Sequence, residues 1–177
     1  MSGGDRRSRR LFRPLLLVSL VAMCACSLTL NEKPGESGFC GEGSLLDNFW
    51  WVAPGYDHTC AHLLTTDGKA KVKCWGDNDF GQLGDGTKRR STAPVDVKGL
   101  TDDQMAAIAG FSSGGYHTCL IVSPGSVYCW GRNDSGQLGN GSTSDSSLPV
   151  QGDGITNAVV VAAGNQHTCA MMYSGSV

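Results

Sequence analysis

Short apolar runs alternate with Gly-rich polar stretches along most of this chain. Residues 71–75, 94–97, 105–109 and 117–122 each read as a strand of four to six residues, and 126–130, 148–151, 158–162 and 167–172 repeat the pattern. Asp67-Gly68 and Pro124-Gly125 fall between runs that can pair, which is the chemistry of a tight hairpin turn.

Aligning the chain with itself explains the pattern. Gly55-Tyr56-Asp57-His58-Thr59-Cys60 recurs as Gly115-Tyr116-His117-Thr118-Cys119, with the Gly one place closer, and again as Gly164-Asn165-Gln166-His167-Thr168-Cys169. A second block, Val72-Lys73-Cys74-Trp75-Gly76-Asp77-Asn78-Asp79-Phe80-Gly81-Gln82-Leu83-Gly84, recurs as Val127-Tyr128-Cys129-Trp130-Gly131-Arg132-Asn133-Asp134-Ser135-Gly136-Gln137-Leu138-Gly139. Self-similarity at a period of about 50 residues, with four short strands per period, is the signature of a propeller blade. Trp75, Trp130, Leu83 and Leu138 hold matching places and are expected to be core between blades.

The Cys-Trp-Gly-x-Asn-x-x-Gly-Gln-Leu-Gly block, a following Pro-Val strand and Gly-x-x-His-Thr-Cys closely resemble the regulator of chromosome condensation repeat. The resemblance covers residues 49–177. It implies an all-β fold, a β-propeller of four-stranded blades, in that family commonly seven. This chain supplies two complete units, 71–122 and 126–172, with a partial unit at each end, so the expectation is an incomplete propeller: a fragment, a truncated gene product, or one part of an assembly. An open arc would leave sheet edges that invite aggregation.

Composition narrows the function. The 25 Gly residues are not spaced every third position, which excludes collagen, and 17% charged with 40% hydrophobic residues argues against a disordered chain. The net charge of -2 hides an asymmetry: Arg6, Arg7, Arg9, Arg10 and Arg13 crowd the start, whereas from residue 26 onward nine Lys and Arg face fifteen Asp and Glu. A body this acidic is a poor match for a phosphate backbone, so nucleic acid is not expected as a partner.

The basic start, the apolar stretch 15–23 and the small residues after it predict a secretory signal over residues 1–26. Ser8-Arg9-Arg10-Leu11-Phe12 resembles a twin-arginine export motif. Ala25-Cys26 resembles the end of a lipobox, which makes Cys26 the expected lipidation site, with Cys24 the second candidate. The expected location is the bacterial cell envelope, outer membrane or periplasm, with membrane attachment through the N-terminal lipid or an uncleaved signal anchor. Residues 27–48, polar and punctuated by Gly and Pro, read as a flexible linker.

Cys60 and Cys74 flank one predicted hairpin, and Cys119 and Cys129 the next. In an exported protein this favours the disulfides Cys60–Cys74 and Cys119–Cys129; buried thiols and a zinc site are the alternatives, and the spacing is not that of a zinc site. Cys40 and Cys169 have no partner within the repeat, and spacing does not support a bridge between them. His58, His117 and His167 recur in register, so each is expected to make the same buried contact, with its ring bonded to backbone, rather than to form one asymmetric catalytic site. His62 has no counterpart in the other copies. Asp77-Asn78-Asp79 resembles the start of a calcium loop, but Lys88 stands where a bidentate Glu is needed, so turn chemistry is expected. Asn133-Asp134-Ser135 and Asn140-Gly141-Ser142 fit the glycosylation pattern and are read as turns.

No catalytic residue, cofactor or metal is therefore expected, and the chain is read as no enzyme. Its expected role is a protein-interaction scaffold whose copies differ at the loop tips: Lys69 and Lys71, with Lys73, on one basic hairpin, and Lys88, Arg89 and Arg90 after a Gly-rich turn where the next copy has residues 142–147. The partner is an unidentified protein. The family resemblance implies two alternatives, a nucleotide-exchange regulator of a small GTPase and an inhibitor of an extracytoplasmic enzyme.

Overall fold

A computed structural model describes residues 49–177, so the expected signal, lipidation site and linker lie outside the described residues. The strands are β1 (Phe49–Pro54), β2 (His58–Leu64), β3 (Ala70–Gly76), β4 (Ser91–Asp96), β5 (Ile108–Ser113), β6 (His117–Val122), β7 (Ser126–Gly131), β8 (Ser146–Gln151), β9 (Ala158–Ala163) and β10 (Thr168–Met172), with a short helix, α1 (Asp102–Ala106), between β4 and β5. They form antiparallel sheets in the orders β1-β2-β3-β4 and β5-β6-β7-β8, followed by the pair β9-β10. The fold is nearly all-β, with meandering four-stranded sheets, as the repeat implied.

The sheets are out of phase with the sequence period. The unit 71–122 contributes β3 and β4 to one sheet and β5 and β6 to the next. Pairing follows the chain connections, short between β1, β2 and β3 and long between β3 and β4, whereas self-alignment registers only the period. The expected strand at 105–109 is corrected: Met105 and Ala106 belong to α1, and the strand begins at Ile108. Thr101 caps the helix by accepting the Gln104 N–H, while the Gln104 side chain accepts the Thr101 N–H, a reciprocal box that sets helix phasing over the apolar alternation.

Two apolar layers separate the sheets. The first joins Cys60, Val72, Cys74, Leu83 and Val97 to Met105, Ile108, Leu120, Val122 and Trp130. The second joins Cys119, Ile121, Val127, Cys129 and Leu138 to Ala158 and Val161. Trp130 is fully buried, and its indole N–H donates to the Gln82 carbonyl at 2.9 Å. Its ring lies over Gly84, where a Cβ would come within 2.8 Å of Nε1 and the backbone has φ +69°; a side chain there would meet both steric and conformational cost. Trp75, in the matching place, is half-buried, because no sheet among the described residues lies on its other side.

Candidate functional site

The recurring polar residues hold the frame. The Asn78 side-chain amide donates to the carbonyls of Thr87 (3.1 Å) and Arg89 (3.0 Å), and its carbonyl accepts the Leu83 N–H at 2.9 Å. Asn133 repeats this with Ser142, Ser144 and Leu138. Gln82 accepts the Phe80 N–H and donates to Asp77, so one block of side chains closes the long β3–β4 loop onto itself. Asp77, read from the sequence as turn chemistry, is thus a hydrogen-bond acceptor in that loop. Asn133 is fully buried with its amide occupied, which puts it out of reach of glycosylation. The roles of Asn78 and Gln82 were missed in the sequence; their recurrence as Asn133 and Gln137 was the available signal.

The histidines clip neighbouring sheets together. His58 Nε2 shares a 2.9 Å hydrogen bond with Thr118 Oγ1, and His117 Nε2 a 2.8 Å bond with Thr168 Oγ1. The expected backbone partner is therefore replaced by a threonine hydroxyl of the next sheet. Gly55 N–H donates to the His58 carbonyl at 2.8 Å, and a Cβ on Gly55 would collide with the His58 ring. Gly114, not Gly115, occupies the matching place beside His117, since its N–H donates to the His117 carbonyl. Burial drives the pKa of both imidazoles down to about 4; for His58 the neighbouring His117 adds to the effect and Asp77 opposes it, and for His117 the added cause is His167. His167 is exposed, contrary to expectation, because no further sheet among the described residues brings a threonine to it. His62 is buried under the Trp51 ring, with Nε2 3.1 Å from the Met105 carbonyl, and burial lowers its pKa.

Cys60 faces Cys74 across β2 and β3, and Cys119 faces Cys129 across β6 and β7; each pair has Cα atoms 4.1 Å apart and sulfurs at disulfide distance. Cys169 is exposed and has no partner among the described residues. Among the described residues no group of three His, Cys, Asp or Glu side chains is placed to hold a metal ion.

The loop-tip cations do not form one patch. Lys69 lies in the β2–β3 turn and Lys71 just inside β3, whereas Lys88, Arg89 and Arg90 lie in the β3–β4 loop, at the other end of a seven-residue strand. At the rise of a strand these ends are roughly 20 Å apart. Lys73 pairs with Asp96 of β4 at 2.6 Å, and Lys88 reaches across to Asp145 in the β7–β8 loop at 3.2 Å.

The long-loop end also carries a cluster that the sequence did not reveal. Tyr56 packs edge-on against Tyr116 at 5.7 Å between centroids, and Phe80 lies 5.3 Å from Tyr116. The Arg132 guanidinium sits 5.0 Å from the Phe80 ring and 5.8 Å from that of Tyr116, an attractive cation–π arrangement. Asp134 holds Arg132 in its charged form through a hydrogen bond. Tyr56 is 60% exposed. Four residues from two sheets thus make one aromatic and cationic surface, and exposed Arg89 and Arg90 lie further along the loop that carries Phe80. An exposed Tyr and an Arg flanked by variable loops suit the recognition of another protein.

Comparison with known proteins agrees with this architecture. The family model described as "Regulator of chromosome condensation (RCC1) repeat" matches residues 71–121 and 124–171, and a second model of the same description matches 52–82 and 108–137. The chain is 33% identical over 129 residues to the human probable E3 ubiquitin-protein ligase HERC4, covering 71% of this chain and 12% of that protein. It is 39% identical over 98 residues to the ultraviolet-B receptor UVR8 of Arabidopsis thaliana, covering 55% of this chain and 21% of the receptor. The chain therefore spans only a small part of these relatives' length. Among solved structures it resembles Prp20p of Saccharomyces cerevisiae, whose structure was described with its binding to Gsp1p and histones, at TM-score 0.61 and 26% identity over 72% of this chain and 32% of Prp20p. It also resembles human WBSCR16, at TM-score 0.57 and 25% identity over 69% of this chain and 30% of that one. With in-register loops, interlocked sheets and repeat blocks all in agreement, the chain belongs to the regulator of chromosome condensation (RCC1) repeat family and folds as part of a β-propeller.

Proposed function

We propose that this chain is a protein-interaction scaffold whose partner docks on the long-loop end of the sheets. The observation that carries the reading is the Tyr56–Tyr116–Phe80–Arg132 surface, built across two sheets at the tips of a stapled frame. His58, His117, Asn78 and Asn133, which recur between the copies, are occupied in holding loops and sheets, which leaves the residues that differ to meet a partner. The reading assigns the chain no catalysis, since His58 and His117 are spent on interlocking sheets. It includes export to the bacterial cell envelope and a lipid on Cys26, supported by the basic start, the apolar stretch and the Ala25-Cys26 junction.

Two measurements test it. Mass spectrometry of the mature N-terminus should find a lipid-modified Cys26, and a mature chain beginning at Ser27 would end the anchoring part. For the scaffold, the wild-type chain and two variants are immobilised against envelope extract. Tyr56→Ala with Arg89→Ala and Arg90→Ala should lower capture of the bound protein by about tenfold, while Lys69→Ala with Lys71→Ala leaves it unchanged. Equal capture by both variants would remove the long-loop end as the docking face. The 26% identity to Prp20p favours a second reading, an exchange-type regulator engaging a partner like Gsp1p. Residence in the cytosol would favour that second reading over the first.

A further inference from the structure

At its short-turn end the first sheet departs from its counterparts. Each sheet opens on a strand with a bulge near its start: Trp50 is skipped in the pairing of β1 with β2, Ala109 in that of β5 with β6, and Val159 in that of β9 with β10. A bulged residue leaves the ladder. All three are exposed, Ala109 among them although apolar layers flank its sheet on both sides, so the exposure belongs to the bulge and not to an open edge. In the first sheet this outward place holds a tryptophan, 57% exposed, and the next residue, Trp51, is 38% exposed where the second sheet has Gly110.

The two indoles are held in place. They lie 6.5 Å apart edge to face, Trp51 stacks on His62 at 5.8 Å, and Trp50 meets the same imidazole edge-on at 5.6 Å. His62 is buried and fixed against α1 by the 3.1 Å bond from Nε2 to the Met105 carbonyl. It stands where the other copies have Ile121 and Met171, so the platform is particular to this sheet.

An indole, apolar with one N–H, suits the boundary between water and lipid headgroups. Chain connectivity leads to the same surface. Residues 27–48 join β1 to the expected anchor at Cys26, and a coil of 22 residues spans about 25 Å. β1 starts at the short-turn end, since Phe49 pairs with Leu63 beside the β2–β3 turn. The anchor therefore brings this end to the bilayer first and leaves the long-loop end, roughly 20 Å further on, free for a partner. Asp67 and Lys69 in the turn, with Asp102 and Asp103 on α1, give no net positive charge, so the rings and not the lysine carry the attraction.

We propose that Trp50 and Trp51 dock the short-turn end of the first sheet on the lipid surface to which the chain is anchored, with both indoles at the headgroup level. This rests on the anchoring part of the reading above.

The full chain, in the form that cells produce, is mixed into phosphatidylcholine vesicles with or without bromine on the acyl chains, and tryptophan emission is compared. Bromine should remove about a third or more of the wild-type emission, and at least about threefold less in Trp50→Phe with Trp51→Phe. Trp75→Phe should keep the loss, which identifies the source even where the double variant does not fold. The effect should be the same at about 0.1 M and about 1 M salt. An unquenched wild type, equal quenching in the double variant, its disappearance in Trp75→Phe, or its loss at high salt would each overturn the proposal. The mass of the same chain reports the anchor separately. A chain beginning at Ser27 ends the Cys26 anchor, and that chain, added to the same vesicles, must still be quenched through Trp50 and Trp51 or the docking falls as well.

Discussion

At the scale of single residues, polar side chains hold this fold as firmly as apolar ones. Asn78 and Asn133 each order a long loop through buried amides, and His58 and His117 tie one sheet to the next. A buried neutral imidazole makes stability depend on pH. Unfolded, each histidine titrates near 6.5; folded, each is pushed to about 4. Between these values the unfolded chain binds more protons, so stability is complete above about pH 6.5 and falls as pH drops towards 4. Urea unfolding at pH 7.5 and 4.5 should show a loss of several kcal/mol, on the order of 1–3 per histidine. His58→Asn should flatten part of that slope; an unchanged slope would show that His58 is not the group involved. The Gly-x-x-His-Thr-Cys repetition marked these positions, but the threonine partner belongs to another copy, 60 residues away for His58 and 51 for His117, and its spacing carries no signal.

At the scale of elements, each four-stranded sheet is a meander whose two middle strands bring a cysteine pair to disulfide distance. The closed loops are short, 14 and 10 residues in sequence separation. In the chain-entropy account, loops of this size restrict the unfolded chain by about 3 kcal/mol each. Replacing both Cys119 and Cys129 by Ala should therefore lower the stability of the oxidised protein by about 2–4 kcal/mol, read by denaturant unfolding. In reducing buffer the wild type should fall to nearly the same level; a difference unchanged by reductant would mean that the loss comes from packing. Strand positions were largely legible because turn residues bound them, as at Asp67-Gly68 and Pro124-Gly125. The helix at Asp102–Ala106 was not, because five residues give too few positions for a helical period and its Thr101–Gln104 cap lies in a polar stretch.

At the scale of the whole molecule, identical residues acquire different energies from their neighbours. Trp130 is sealed between two sheets, whereas Trp75 is half-buried, with a sheet on one side only among the described residues. Trp130→Ala should cost about 3–5 kcal/mol and Trp75→Ala markedly less, compared by thermal or urea unfolding. Equal costs would mean that the two tryptophans share one environment in solution. The self-alignment of the chain, with its period, its hairpin turns and its facing cysteines, was enough to determine repeated small antiparallel sheets, since each of those features depends on residues close in sequence. What the tertiary structure alone decided is how the copies meet: the phase of the sheets against the period, the histidine–threonine clips, the separation of Lys69 from Arg89, and the gathering of Tyr56, Phe80, Tyr116 and Arg132. Those contacts join residues from different copies, and a repeating sequence presents each copy with the same local pattern wherever its neighbour lies.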